Sequence, residues 1–98
     1  MSTVMVTGCW TPPPGSNPCH AAVDAVWQRD LSWAHGVVNR ESHGIQNARN
    51  KSGASGCFQL MPVHRDLVPG GWSMVMVAHN NVSAAWSLYS GSGRRPWQ

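Results

Sequence analysis

One stretch limits what this chain can fold into more than any other. From Leu31 to Ser42 the apolar residues recur at helical spacing, and the chain's only glutamate, Glu41, lies among them. At about 100° per residue, Leu31, Ala34, Val37, Val38 and Glu41 share roughly 120° of arc. Asp30 or Ser32 stands where a helix cap belongs, and Gly44 stands where such a helix stops. A carboxyl on an apolar helix face resists ionisation, because desolvation disfavours the charged form. That is the property a general acid needs. The competing reading of the same residue is a helix-end side chain that reaches out to water.

The remainder reads as one mainly α domain. Residues 1–18 form an extended Pro-rich lead-in, since Pro12, Pro13, Pro14 and Pro18 carry no amide donor and fix φ. Residues 19–98 form the domain. A first helix is predicted over 19–30, with Asn17 as its cap and Pro18 in its first turn. Residues 43–59, rich in Gly, Ser, Asn and Ala, read as an irregular lobe or short hairpin. A helix starts near Pro62, residues 66–73 form a loop, and a last helix covers about Asn80 to Ser90. Ala84, Ala85, Leu88 and Tyr89 face inward on it, Gly91 and Gly93 end it, and residues 94–97 are a short tail. Phe58, Leu60 and Met61 read as core.

Composition narrows the function classes. Apolar residues make up 42% of the chain and charged residues 11%, with six tryptophans. That mixture is too apolar and aromatic for a disordered segment. The formal net charge of +3 suits a polyanionic surface, but the basic residues are scattered apart from Arg94-Arg95. No segment reaches the apolar length of a membrane span. Residues 1–10 lack the charged start and apolar run of a signal peptide. Three cysteines leave at least one outside any intrachain pair; Cys9 and Cys19 flank the Pro-rich stretch and could close a small ring. No paired metal-ligand spacing is present, so neither metal nor cofactor is expected.

Beyond the helix, a longer string carries information. It runs Glu41-Ser42, then Ala48, then Ser52-Gly53-Ala54-Ser55-Gly56-Cys57-Phe58-Gln59-Leu60-Met61-Pro62. This string resembles the lysozyme-like lytic transglycosylase (SLT-type) family, in particular its small phage-type versions. The family pattern is a helix ending in Glu-Ser, an Ala seven residues after the Glu, and a Ser-Gly-Ala-x-Gly-x-x-Gln-x-Met-Pro segment. Asn81-Val82 resembles the Asn-Ile that opens the family's next helix, with Tyr89 further along it. Trp72-Ser73 and Pro96-Trp97 resemble the small versions. The resemblance spans roughly residues 20–97 and departs at two places. His43-Gly44-Ile45-Gln46 stands where the family has Gly, a variable residue and Asn-Pro, and residues 74–79 are shorter and more apolar than usual. Some small relatives have a cysteine near position 44 facing that of Cys57; this chain has Gly44.

The resemblance implies a lysozyme-like α+β fold with the lobe beside a catalytic helix. It implies cleavage of the β-1,4 bond between N-acetylmuramic acid and N-acetylglucosamine in peptidoglycan glycan strands. Glu41 would be the catalytic acid/base, with Ser52, Gln59, Met61, Asn81 and Tyr89 contacting substrate. Tyr89 would lie near the acid, and the Gly53–Gly56 turn would bring backbone close to the sugar. The other acids, Asp24, Asp30 and Asp66, sit in no motif that marks a nucleophile, so a single-acid mechanism is expected. Its product is an anhydro sugar if the sugar's 6-hydroxyl attacks and a hydrolysed end if water does. A monomer is expected, without nucleic acid or membrane span. The implied setting is the bacterial cell wall, reached by phage delivery, carriage on a virion or release through a holin. A different class is a non-catalytic wall-binding or virion structural module on the same scaffold. A third reading, a nucleic-acid binder using Arg94, Arg95 and the tryptophans, has no reading motif behind it.

Overall fold

The computed structural model describes residues 10–98. Its helices are α1 (Pro18–Val26), α2 (Leu31–Ser42) and α3 (Ala78–Ser92), with 3-10 turns at Pro62–Leu67, Trp72–Met74 and Arg95–Trp97. Asn17 caps α1 as its sequence suggests: its Oδ1 accepts from the amides of Cys19 (2.9 Å) and His20 (3.2 Å). The helix stops at Val26, short of the predicted 30, because Trp27 turns extended and its ring enters the core. Asp30 adopts a left-handed φ of 58°, and its carbonyl opens α2 by accepting from Ala34 at 3.0 Å. Its carboxylate does not cap that helix but bonds to Arg94 and Tyr89.

The third helix is longer than predicted. It runs straight through Gly91 and stops only at Gly93, where φ is 64°. The helix expected at Pro62 is a 3-10 turn with no buried residue. Trp97, expected in a tail, folds back onto the body: it is 9% exposed, and its Nε1 donates to the Phe58 carbonyl at 3.1 Å. Residues 1–9 of the predicted lead-in lie outside the described residues. Ser16 closes a turn onto the Pro13 carbonyl, and the Trp10 ring packs against His79 at 5.1 Å.

Small side chains let the helices approach closely: Ala22 and Val23 of α1, Ala34, Val37 and Val38 of α2, and Ala78, Val82, Ala84 and Ala85 of α3 are buried together. Aromatic rings fill the remaining space. Trp27 lies parallel to Phe58 with centroids 5.3 Å apart, and edge-on to Trp86 at 5.2 Å. Burial of several such rings is a large share of the apolar driving force in a domain of this size.

Residues 43–61 form the lobe. Strand structure there is confined to two isolated antiparallel bridges, Arg49 with Ser55 and Ser55 with Leu60. The described chain is therefore mainly helical with almost no strand. Two devices tie the lobe down. A disulfide joins Cys19 of α1 to Cys57, with Cα atoms 5.5 Å apart. Cys19 thus pairs with Cys57, not with Cys9 as the sequence left open, and Cys57 finds on α1 the partner that Gly44 does not supply. The first turn of α1 carries Cys19 into the core, where both residues are fully buried. The second device is Asn81, fully buried near the start of α3. Its Oδ1 accepts from Phe58 at 2.9 Å, and its Nδ2 donates to the carbonyls of Ser55 (2.9 Å) and Val75 (3.0 Å). Among the described residues, no helix is long and apolar enough to cross a membrane.

Candidate active site

Glu41 is the penultimate residue of α2. One turn earlier Val37 and Val38 are 1% and 0% exposed, whereas the Glu41 side chain is 31% exposed. The predicted enclosure of this carboxyl is thus only partial. Leu31 at the other end of the same arc is also exposed, so the arc dips into the core at its middle and surfaces at both ends. The nearest charge is Arg40, whose Nε lies 3.1 Å from Glu41 Oε2. The other arm of that guanidinium donates to the Trp97 carbonyl at 2.6 Å. Arg40 is therefore parked beside the acid by the folded-back C-terminal turn, a role not read from the sequence.

The backbone under Glu41 is locked. His43 and Gly44 take left-handed φ values of 55° and 75° and end the helix. Asn17 Nδ2 donates to the Gly44 carbonyl at 2.9 Å, so the residue that caps α1 also holds the exit of α2. A Cβ on Gly44 would come within 2.9 Å of that same nitrogen. Further along, Gln46 Oε1 accepts from the Ala78 amide at 3.0 Å and satisfies a free donor at the start of α3.

The remaining predicted site residues separate into two groups. Phe58 and Leu60 are buried in the core, while Gln59 is partly exposed and Met61 exposed. Met61, read as core, is 37% exposed. Gln59 sits at φ 51°, and its Nε2 donates to the carbonyls of Ala48 and Gly56, each at 3.0 Å. Its Oε1 is engaged by none of the described residues. Ser52 is exposed in a turn closed by Asn50. These three are reachable from solvent.

Asn81 and Tyr89 are placed differently. Asn81 is wholly enclosed with its amide used up inside the fold, so it positions the lobe and has no surface for a ligand. Gly56 is explained by the same clamp. At its φ of 80°, a Cβ would stand 2.2 Å from Asn81 Nδ2 and 2.6 Å from the Val75 carbonyl. The missing side chain makes room for Asn81, not for a sugar. Tyr89 lies away from the acid. Its hydroxyl donates to Asp30 at 3.1 Å, at the opposite end of α2. With a helical rise of about 1.5 Å per residue, positions 30 and 41 are roughly 16 Å apart along the axis.

The aspartates are committed elsewhere. Asp30 is held by Arg94 at 2.7 Å and 2.9 Å, and these hydrogen bonds lower its carboxyl below the ordinary range and raise the guanidinium above its own. Asp24 bonds His35 at 2.8 Å, and Asp66 is exposed. None bonds Glu41. An open groove of about 610 Å³ lined by Trp10, Pro18, Gln46, Asn47, Met76 and Val77, among others, contains none of the predicted site residues.

The chain is similar to proteins named probable transglycosylase IsaA. The one from Staphylococcus epidermidis is 36% identical over 86 residues, covering 85% of this chain and 33% of that protein. One from Staphylococcus aureus is 38% identical over 66 residues, covering 67% of this chain and 24% of that protein. The chain thus spans between a quarter and a third of the length of these relatives. A match of 85% cannot avoid the middle of the chain, so Glu41 and residues 52–61 lie within it. These relatives point to a transglycosylase-type family. No family model matches the chain, and no solved structure matches it.

Proposed function

We propose that this domain is a peptidoglycan lytic transglycosylase in which Glu41 is the single general acid and base. One observation carries the reading. In a chain similar to proteins named transglycosylase, the sole glutamate sits at the locked end of α2, half-exposed, where the chain runs directly into a lobe that leaves Gln59 partly exposed and Met61 exposed. The carboxyl is held in place yet open to a ligand.

In the proposed reaction Glu41 gives its proton to the oxygen linking N-acetylmuramic acid to N-acetylglucosamine. The bond from that oxygen to C1 of the muramic sugar breaks, and positive charge builds at C1. The carboxylate then takes the proton of the same sugar's 6-hydroxyl as its oxygen bonds to C1, and a 1,6-anhydro ring closes. Attack by water instead would give hydrolysis. Arg40, tied to the Trp97 carbonyl, stays beside the carboxylate and offsets its charge while the proton is absent. With the aspartates engaged elsewhere or out on the surface, a one-acid route fits better than a two-carboxylate one. Gln59 Oε1, Ser52 and Met61 are the proposed glycan contacts, and Asn81 sets the lobe that carries them.

The proposed setting is the bacterial cell wall. The Cys19–Cys57 disulfide supports it, since such bonds form and persist in oxidising compartments. Digestion of purified peptidoglycan, with mass analysis of the released sugars, tests the activity. Wild type should release anhydro-muropeptides, and Glu41→Gln should lose at least about a hundred-fold in rate while keeping its melting temperature. Unchanged turnover in folded Glu41→Gln would refute the assignment.

A further inference from the structure

We propose that His20 and His35 form a two-imidazole site for a late first-row divalent cation such as zinc, stapling α1 to α2. The two helices present matching pairs four residues apart, His20 with Asp24 on α1 and His35 with Asn39 on α2. Each histidine bonds the partner helix's acceptor: His20 Nε2 to Asn39 Oδ1 at 2.8 Å, and His35 Nε2 to Asp24 Oδ1 at 2.8 Å. The rings stack at 4.9 Å, and their Nδ1 atoms meet at 2.7 Å.

Proton counting shows why this meeting asks for a third party. The Asp24 carboxylate only accepts, so His35 Nε2 carries hydrogen, and with Asn39 presenting its oxygen, as it does here, His20 Nε2 carries hydrogen too. A neutral imidazole has a single N–H, which leaves a bare lone pair on each Nδ1. Two lone pairs facing each other at 2.7 Å repel unless an electrophile lies between them, either a proton or a metal ion. The rest of the arrangement is that of metal-binding histidines. One ring nitrogen is free to ligate, and the other is oriented by a carboxylate or a carbonyl-type oxygen that makes the ring a better donor. Imidazole nitrogen suits zinc, copper and nickel far better than magnesium or calcium.

The geometry needs only a small adjustment. Two nitrogens at about 2.0–2.1 Å from a tetrahedral zinc are roughly 3.3 Å apart, so the rings must part by about 0.6 Å. His35 is 28% exposed and Asp24 70% exposed, leaving open sides for water ligands and for that movement. Among the described residues no group of three or more His, Cys, Asp or Glu side chains is arranged to hold a metal ion, so the protein supplies two ligands and the site is exchangeable. The cation would brace the helix that carries Glu41 without touching the acid.

The test is calorimetric titration of zinc chloride into the full chain carrying Cys9→Ser, which removes a competing thiol. His20→Ala and His35→Gln are then measured in that background, with circular dichroism in zinc-free buffer showing that each is folded. The expected result is one zinc per chain, a melting temperature that rises with zinc, and at least about a ten-fold loss of affinity in either variant. Magnesium should have no effect. Nitrogen NMR of the unsubstituted histidines should show zinc on Nδ1 of His20 and His35 with Nε2 still protonated, a readout independent of whether a variant folds. Absence of zinc binding, binding that survives both substitutions, or shifts confined to His43, His64 or His79 would overturn the proposal and leave a proton-bridged pair.

Discussion

Replacing Cys19 and Cys57 together by alanine, in a chain already carrying Cys9→Ser, removes the covalent tie between α1 and the lobe. The bond joins residues separated by 38 positions. In the loop-entropy account, a ring of that size restricts the unfolded chain by about 4 kcal/mol at room temperature. A domain of this length holds about 5–15 kcal/mol in all, so the loss is a large fraction of the total. At 4–8 °C per kcal/mol, the melting temperature should fall by roughly 15–30 °C. Packing adds to this, because both residues are fully buried and alanine leaves a void there. Urea unfolding followed by tryptophan fluorescence, run on the Cys9→Ser chain and on the triple variant, measures the difference. A loss below about 1 kcal/mol would refute the reasoning. So would three titratable thiols in the folded wild type without reductant.

Two further predictions follow from the glycines and from His79. Gly56→Ala should cost about 3 kcal/mol or more, from a left-handed φ together with overlap on Asn81. Gly91→Ala, in the last turn of α3 with nothing within 4 Å of the added Cβ, should instead stabilise by about 0.5 kcal/mol. Denaturant midpoints of the two variants should move in opposite directions. Burial lowers the His79 imidazole below its ordinary value of about 6.5, so the folded state resists its protonation. The stability tied to this ring is whole above pH 6.5 and is lost as pH falls through the lower folded value, because the unfolded chain takes up the proton first. His79→Phe, which keeps a ring against Trp10, should flatten the decline in stability between pH 7 and pH 5.

Local signals were legible because their partners are close in sequence. Asn17-Pro18 started a helix where a side-chain oxygen and a proline in the first turn require one. The spacing of Ala34, Val37 and Val38 marked the buried arc of α2, and its end at Ser42 followed from Gly44. Glu41 stood out as the lone glutamate on that arc. The enclosure expected of it was overstated, because helical periodicity gives a direction around the axis and not the depth of burial at a helix end. Gly91 illustrates the same limit: a glycine permits a stop without imposing one, and α3 continues through it to Gly93, where φ turns positive.

The sequence by itself determined the three α-helices, where the glycine-rich lobe lies and which acid is singular, since these depend on spacing within one or two turns. Only the tertiary structure decided the pairings. Cys19 found Cys57 rather than Cys9, Asn81 turned inward to hold three backbone groups, Tyr89 went to Asp30, and His20 met His35 across two helices. Apart from the Asn81–Val75 bond, these contacts join residues well separated along the chain. What settles them is which side chains the packed helices carry to one point in space, a property of the assembled core that no local window contains.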